Sequence, residues 1–260
     1  MSGLPTAVQA DMNVATWNIY GGRSAPDKRY DALFNILQPL KPHVIALQEV
    51  DEPFLHRAVQ QPALGNHKAV STPDCLQGGL AFLVNLPVMH RYCLDLPGPL
   101  GRKALFVEVK KKGQNWLFVT LHLESFLEDG PWRQKQLAKI KPLFQRYPAP
   151  HKVLLGDFNF GDAEHKTAAV LASFQLLDIW RLRHPGQPGF SWDRTRNYMA
   201  DRNSFDQEPS RRLDRILLKS STMQPKHITL LGTQSIGAAA LPWQTLFPSD
   251  HFGLFAQFAE

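Results

Sequence analysis

The chain has 260 residues, 43% of them hydrophobic and 10% aromatic, which is enough to bury one large globular core. Its net charge of +6 and pI near 9.4 favour an anionic partner, such as nucleic acid, a phosphorylated substrate or a membrane surface. No apolar run reaches the length of a membrane span and the N-terminus lacks the pattern of a signal peptide, so we expect a soluble, intracellular protein.

Short strand-forming runs recur along the whole chain. They cover residues 12–17, 43–48, 79–84, 104–109, 115–123, 152–156, 215–219, 227–232 and 252–258. Apolar residues at helical spacing predict helices at 26–40, 131–147 and 161–174, with Asp162 as the N-cap of the third. The segment 110–116 contains a glycine between two strand runs and predicts a hairpin turn.

The ratio of strands to helices predicts the fold class. Many strands, few helices and tight central turns argue against a simple alternating parallel sheet. We expect an α/β (α+β) fold: a four-layer sandwich of two mostly antiparallel β-sheets flanked by helices. No linker or low-complexity tract divides the chain, so residues 1–260 are expected to form a single domain with a flexible N-terminus at 1–11.

The cysteine content bears on the compartment. Two cysteines, Cys75 and Cys93, fit a reducing environment better than a secreted fold held by disulfides. We therefore expect both to be small buried side chains rather than a bonded pair.

Polar residues interrupt or follow several of the apolar runs. They are Asn18, Glu49, His122, Ser125, Asp157, Asn159, Asp214, Asp250 and His251. Each has an ordinary structural explanation: Asn18 precedes two glycines and could form a turn, and Asp214 could pair with the arginines beside it. Together they contain what metal-assisted phosphoryl hydrolysis needs, namely carboxylates for a hard cation, donors for phosphate oxygens and a base for water.

The motifs fall in a recognisable order. The series WNI, QEV, HLES, GDFN, LDRI and SDHFG resembles the endonuclease/exonuclease/phosphatase superfamily, from about Met12 to the C-terminus. The resemblance implies a DNase I-like fold and a hydrolase that depends on Mg²⁺ or Mn²⁺.

The resemblance also implies roles for the carboxylates and amides. Glu49 would bind the metal ion directly, and Asp250 would assist. Asp157 would orient and deprotonate the attacking water. Asn159 and Asn18 would hold water and phosphate oxygens in place.

By the same resemblance, two histidines stabilise the transition state. His122 and His251 would donate hydrogen bonds to the non-bridging phosphate oxygens. Asp214 would accept from His251, which fixes its tautomer and favours its charged form.

Three further residues are candidate substrate contacts. Ser125 corresponds to a phosphate contact in HLES, and Trp192 could pack against a sugar or base of single-stranded DNA. Arg212 belongs to a set of basic residues that could follow the phosphate backbone of DNA, and we expect it to contact the substrate. The rest of that set is Arg102, Lys103, Arg194, Arg196, Arg202 and Arg211.

Within the superfamily, HLES and FSWD at 190–193 look most like the branch that removes topoisomerase-derived tyrosine from 5′ DNA ends. This resemblance implies a 5′-tyrosyl-DNA phosphodiesterase of DNA repair that acts as a monomer on single-stranded or 5′ DNA ends, without a membrane partner. Its compartment would be the cytoplasm, or the nucleus in a eukaryote. Two positions depart from the pattern: Tyr20 replaces an acid, and Gly161 replaces an arginine.

Other activities of the same fold stay open at this point. They include an abasic-site endonuclease or exonuclease, an RNA nuclease, and an inositol or phospholipid phosphatase. A non-catalytic binding module is disfavoured, because Glu49, Asp157 and His251 are all present.

Overall fold

The computed structural model describes residues 11–238 and 245–260. Within this part of the chain, two six-stranded sheets pack face to face and helices cover their outer faces, as the sequence predicts. The predicted flexible N-terminus, apart from its last residue, lies outside the described residues.

The first sheet has the strand order β11-β14-β1-β2-β4-β3, the second has β5-β6-β7-β8-β10-β9, and β12 pairs with β13. The strands are β1 (Met12–Asn18), β2 (Val44–Gln48), β3 (Lys68–Val70), β4 (Ala81–Val84), β5 (Val88–Asp95), β6 (Lys103–Lys111), β7 (Gln114–His122), β8 (His151–Asp157), β9 (Leu177–Asp178), β10 (Asp214–Lys219), β11 (Gln224–Leu231), β12 (Gly237–Ala238), β13 (Thr245–Leu246) and β14 (Gly253–Ala259).

Seven α-helices lie in the described residues. They are α1 (Pro26–Leu37), α2 (Glu52–Gln60), α3 (Pro73–Gln77), α4 (Gly130–Arg146), α5 (His165–Ala172), α6 (Ile179–Arg183) and α7 (Tyr198–Asn203), with 3₁₀ turns at Gln38–Leu40, Pro62–Leu64 and Leu127–Asp129.

All nine predicted strand runs and all three predicted helices are confirmed in these places. The predicted hairpin turn joins β6 to β7, and Lys112 and Gly113 both have positive φ, as a tight hairpin of this twist requires. The elements that the sequence does not predict are short or exposed. The longest such strand, β5, exposes most of its residues at a sheet edge and so lacks an apolar run.

One parallel strand pair lies in the middle of each sheet, and the other pairings are antiparallel. In the first sheet β1 runs parallel to β2 with Asn18 opposite Gln48. In the second sheet β7 runs parallel to β8 with His122 opposite Asp157. Because parallel strands end at the same edge of a sheet, the polar residues at these four strand ends are brought together.

Three apolar layers hold the sandwich together. The central layer lies between the sheets and includes Phe82 of the first sheet and Phe118 of the second, both fully buried. One outer layer packs α1 and α2 on the first sheet, and the other packs α4 on the second. Burial of this apolar surface is the main source of stability, and it fixes the strand ends relative to one another.

The prediction that Asp162 caps a helix is wrong. Helix α5 begins three residues later, with Glu164 at the capping position. The carboxylate of Asp162 instead lies 3.0 Å from both Arg181 and Arg212 and 3.4 Å from Arg215. Charge-assisted hydrogen bonds to three guanidinium groups are stronger than the single cap interaction they replace.

The expectation of unpaired cysteines is also wrong. Cys75 on α3 and Cys93 on β5 form a disulfide, with 5.7 Å between their Cα atoms. Helix α3 packs against β5 and β6, which brings together two cysteines that are 18 residues apart in sequence.

Among the described residues, no helix combines the length and apolarity needed to cross a bilayer.

We predict that reducing the Cys75–Cys93 disulfide lowers the free energy of unfolding by about 3 kcal/mol, because the bond restricts a loop of this size in the unfolded chain. Urea unfolding with and without dithiothreitol measures the difference. The double variant Cys75→Ser/Cys93→Ser should not respond to dithiothreitol. Two alkylatable thiols in the untreated, denatured protein would contradict the pairing.

Candidate active site

A cavity of about 440 Å³ opens at the edge where β1, β2, β7 and β8 end. Most of the residues that the sequence singles out line it directly: Glu49, His122, Ser125, Asp157, Asn159, Trp192, Asp250 and His251. Asn18 and Asp214 are almost fully buried and form hydrogen bonds to these residues. Of the predicted site residues, Arg212 is not brought to the cavity.

Asn18 links the two sheets at the base of the cavity. Its Nδ2 atom donates to Glu49 Oε1 and to Asp157 Oδ2, each at 3.1 Å. Its Oδ1 atom accepts from the backbone nitrogen of Tyr20 at 3.2 Å, which fixes the orientation of the amide. One neutral side chain therefore holds a carboxylate from each sheet.

Glu49 leaves the end of β2 in a left-handed conformation, with φ of 54°. Two glycines make room for this turn. A Cβ on Gly21 would lie 2.0 Å from the carbonyl oxygen of Glu49, and one on Gly79 would lie 3.2 Å from its Cα. The resulting turn places the Glu49 carboxylate at the cavity, where Arg23 lies 3.4 Å away.

The Glu49 carboxylate is ionised in this position. Burial would raise its pKa, but the surrounding donors and positive charges, including Asn18 and Arg23, outweigh burial and lower it. The group is therefore available as an anionic ligand.

Asp157 is the most enclosed carboxylate of the cavity. Its Oδ1 atom accepts from the backbone nitrogen of Asn159 at 2.9 Å, and its Oδ2 atom accepts from Asn18. The Nε2 atoms of His122 and His251 lie 3.4 and 3.7 Å from Oδ2. Burial opposes ionisation, but His251, His122 and the hydrogen bonds outweigh it, and the pKa of Asp157 is lowered.

The predicted hydrogen bond between His251 and Asp214 is present, with 2.8 Å between Nδ1 and Oδ2. The backbone nitrogen of Asp214 donates to Ser191 Oγ at 2.9 Å, which holds the start of β10 in place. Burial disfavours a charged imidazole, but Asp214 and Asp157 outweigh it and raise the pKa of His251 to about 10. At neutral pH, His251 is an imidazolium with a proton on each nitrogen: Nδ1 donates to Asp214, and Nε2 faces Asp157.

His122 has the opposite protonation state. Arg102 Nη1 lies 2.9 Å from His122 Nδ1, and a guanidinium can only donate, so Nδ1 accepts and the proton is on Nε2. Burial and the charge of Arg102 lower the pKa of His122 to about 4. His122 is therefore a neutral donor whose Nε2–H faces Asp157. Arg102 also donates to Ser125, a pairing that no sequence motif indicates.

Asn159 holds the HLES loop with its amide nitrogen. Its Nδ2 atom donates to the carbonyl oxygen of Leu123 at 2.9 Å and to Ser125 Oγ at 3.3 Å. Because these contacts use the nitrogen, the carbonyl oxygen of the Asn159 amide is left to accept from a water or a substrate group.

Asp250 depends on a residue that the sequence does not single out. Asn203 at the end of α7 donates to Asp250 Oδ2 at 2.9 Å, and Ser249 Oγ lies 3.2 Å from Oδ1. Burial and the nearby charge of Glu49 raise the pKa of Asp250 to about 6. Asn203 follows no apolar run and belongs to no motif, so no sequence signal identifies it.

Two sets of side chains could hold a metal ion. Donor atoms of Asp157, Asp214 and His251 lie within 4.8 Å of one another. Two members of this set already bond to each other, with 2.8 Å between His251 Nδ1 and Asp214 Oδ2, which favours the second set as the ligands. The second set is Glu49 and Asp250, which line the same cavity and repel each other when both are charged. A hard divalent cation would relieve this repulsion, and it prefers carboxylate oxygens as ligands.

Trp192 forms one wall of the cavity and is almost entirely buried. Its ring lies edge-on to the His251 imidazole, with 4.9 Å between centroids, and its Nε1 atom donates to Ser204 Oγ at 2.9 Å. This packing supports His251. A contact between Trp192 and substrate stays a prediction.

Arg212 has a structural role instead of the predicted substrate contact. Its side chain is 3% exposed. Its two terminal nitrogens donate to Asp178 at 3.0 and 2.8 Å and to Asp162 at 3.0 Å. These ion pairs engage both terminal nitrogens and hold the guanidinium away from the cavity lining.

Known proteins resemble this chain in sequence and in structure. A family model described as Endonuclease/Exonuclease/phosphatase family matches residues 15–251. Tyrosyl-DNA phosphodiesterase 2 of Mus musculus is 27% identical over 265 residues, which cover 97% of this chain and 67% of that protein.

Solved structures confirm the DNase I-like fold. Danio rerio tyrosyl-DNA phosphodiesterase 2, complexed with single-strand DNA product, has a TM-score of 0.78 and 22% identity, and the match covers 96% of this chain and 99% of that one. A mannosyl-6-phosphatase of Bacteroides thetaiotaomicron has a TM-score of 0.73 and 18% identity, and covers 96% and 100%. The fold is therefore shared by proteins named for different substrates.

We predict that Asp214→Asn lowers the pKa of His251 markedly, because a neutral amide cannot stabilise the imidazolium. NMR titration of the histidine side chains in metal-free buffer measures this change. His122, whose pKa is about 4, provides an internal control that should change little. A His251 resonance that titrates near pH 6.5 in both proteins would contradict the assignment.

Proposed function

Because the chain belongs to the endonuclease/exonuclease/phosphatase family, we propose that it is a metal-dependent phosphodiesterase that hydrolyses 5′-tyrosyl-DNA bonds. The observation that carries the proposal is the junction made by Asn18. It holds Glu49, the candidate metal ligand, and Asp157, the candidate base, in one cavity. The two carboxylates thereby serve a single reacting phosphate.

Asp157 is the group that activates water. It is ionised, buried and oriented by two donors, so its remaining lone pairs can accept a proton from a water in the cavity. The free carbonyl oxygen of Asn159 accepts the second hydrogen of that water. Because both groups are fixed by hydrogen bonds, the water is oriented before the substrate reacts.

The two histidines stabilise the charge that develops on the phosphate. His251 donates from a charged imidazolium held by Asp214, and His122 donates from a neutral imidazole held by Arg102. Preorganised donors of this kind lower the barrier because they need no reorientation during the reaction.

Mg²⁺ or Mn²⁺ would be held by Glu49 and Asp250, and when bound it neutralises charge on the phosphate and leaving-group oxygens. Glu49 is oriented for this task by Asn18. Asp250 is oriented by Asn203 and Ser249, so both ligands are fixed by neighbouring side chains.

Two observations support DNA as the substrate. Phe126 and Phe205 form an exposed pair with 5.7 Å between ring centroids, and Phe205 lines the cavity. Exposed aromatic rings beside a phosphate site are suited to stacking on unpaired bases. The relatives named tyrosyl-DNA phosphodiesterase 2, and the similar structure complexed with single-strand DNA product, support a DNA end with a 5′-tyrosyl group.

We predict that, with Mg²⁺, the enzyme cleaves a 5′-tyrosyl oligonucleotide faster than an abasic duplex, plain single-stranded DNA or inositol phosphates. Initial rates on these four substrates at equal enzyme concentration provide the measurement. A preference for any of the other three would refute the tyrosyl specificity and would leave phosphoester hydrolysis in place.

We predict that Glu49→Ala and Asp157→Asn each reduce hydrolysis by about three orders of magnitude or more, since each removes a group that acts in the transition state. Both variants should fold, as judged by circular dichroism. Glu52→Ala, an exposed acid in α2, is the matched control and should keep full activity. Metal-induced thermal stabilisation should be lost in Glu49→Ala and kept in Asp157→Asn. Near-normal turnover in either site variant would contradict the mechanism.

We predict that Asp214→Asn reduces turnover less than His251→Ala does. The first change weakens the charge and orientation of the imidazole, whereas the second removes the donor altogether. Comparison of kcat for the two variants at saturating substrate tests this order. If Asp214→Asn is the more damaging change, Asp214 does more than orient His251.

A further inference from the structure

The side chain of Arg211 packs closely over Gly161. A Cβ on Gly161 would lie 3.2 Å from Arg211 Cγ and 3.3 Å from Arg211 Cδ. The backbone of Gly161 does not have a positive φ, so its conformation does not require glycine. The tight contact is with the aliphatic part of Arg211, which packs over the GDFN loop and would have to shift if residue 161 had a side chain.

The Arg211 side chain is held at the cavity from two directions. Its backbone pairs with that of Trp192, with hydrogen bonds of 3.0 and 2.8 Å, and its guanidinium forms an ion pair with Glu208. Glu208 is itself buried and accepts from the backbone nitrogen of Phe205 at 2.9 Å. The guanidinium is therefore preorganised and loses little conformational entropy when it binds a ligand.

One donor of this guanidinium is left unused. Arg211 lines the cavity together with Ser125 and Asn159, and its side chain is 10% exposed. Its Nε atom is buried and has no hydrogen-bond partner within the described residues. A buried donor without a partner is costly, and it therefore favours a ligand that brings an acceptor into the cavity.

Arg102 and Arg212 also have a buried Nε without a partner in the described residues, but neither side chain lines the cavity. The terminal nitrogens of Arg212 donate to Asp162 and Asp178. Those of Arg102 donate to His122 and Ser125. Of these three arginines, Arg211 is therefore the one that both lines the cavity and has an unpartnered donor.

We propose that Arg211 is a substrate-binding residue that donates to a non-bridging oxygen of the 5′ phosphate in the cavity, from its position over Gly161. This inference rests on the proposed function, because it assumes that the phosphate of a DNA end enters this cavity. Guanidinium groups match phosphate oxygens in geometry and charge.

The test compares the binding of two single-stranded oligonucleotides of the same sequence, one with a 5′ phosphate and one with a 5′ hydroxyl. Fluorescence polarisation without metal gives both dissociation constants, and their ratio reports the contribution of the phosphate. Arg211→Met keeps the packing over Gly161 and removes the donors, and should reduce this ratio roughly tenfold or more. Arg183→Met, an exposed arginine on α6, is the control and should leave the ratio unchanged.

A positional exchange provides the second arm. Gly161→Arg combined with Arg211→Ala returns a guanidinium to the same space from the GDFN loop, and should restore part of the phosphate preference that Arg211→Met loses. Arg211→Lys should keep part of the preference, because it keeps the charge but loses the planar fork of donors.

If Arg211→Met weakens binding of both oligonucleotides equally and leaves their ratio unchanged, Arg211 has only a packing role and the proposal is overturned. The test uses no cleavage and no tyrosyl group. Its failure is therefore distinct from a failure of the proposed tyrosyl specificity, which the substrate comparison measures separately.

Discussion

The hydrogen bonds of one amide nitrogen set the geometry of this cavity. Asn18 Nδ2 donates to Glu49 and to Asp157, so the carboxylates of two different sheets are held by a single atom. Close by, Gln48 Nε2 donates to Thr120 Oγ1 across the same interface at 2.9 Å. These polar links lie at the edge where both central parallel strand pairs end. Because the links are short and buried, a shift of one sheet against the other would break them and disperse the site.

Three buried arginines hold the loops around this junction. Arg29 donates to backbone carbonyls in the segment after β1 and to Pro248 before β14. Arg133 donates to carbonyls in the segment after β7, and Arg215 to the carbonyl of Phe160 after β8. Burial of a guanidinium is costly, but each of these makes several charge-assisted hydrogen bonds in return. A lysine could not span such spread acceptors, since only the planar guanidinium presents five donors in a fixed fork.

The strands that carry the site could be predicted because each is an apolar run broken by a polar residue at its end. The sequence could not show which of Arg211 and Arg212 lines the cavity. Successive residues in an extended chain face opposite sides, and the sequence does not show which side meets the cavity. The pairing of Cys75 with Cys93 and the ion pairs of Asp162 depend on contacts between segments that are distant in sequence. Local patterns therefore identify elements and their polar ends, whereas tertiary packing assigns neighbouring side chains to different roles.

Charges of both signs line the cavity. Glu49, Asp157 and Asp250 contribute carboxylates, and Arg23, Arg211 and His251 contribute positive charge. Arg23 lies 4.9 Å over the ring of Tyr20 and 3.4 Å from the Glu49 carboxylate. Tyr20 replaces an acid of the family pattern, so an aromatic ring that packs against a guanidinium occupies the position where the pattern has a carboxylate. The same cavity therefore offers anionic ligands to a cation and cationic donors to a phosphate, and both attractions strengthen as these groups are shielded from solvent.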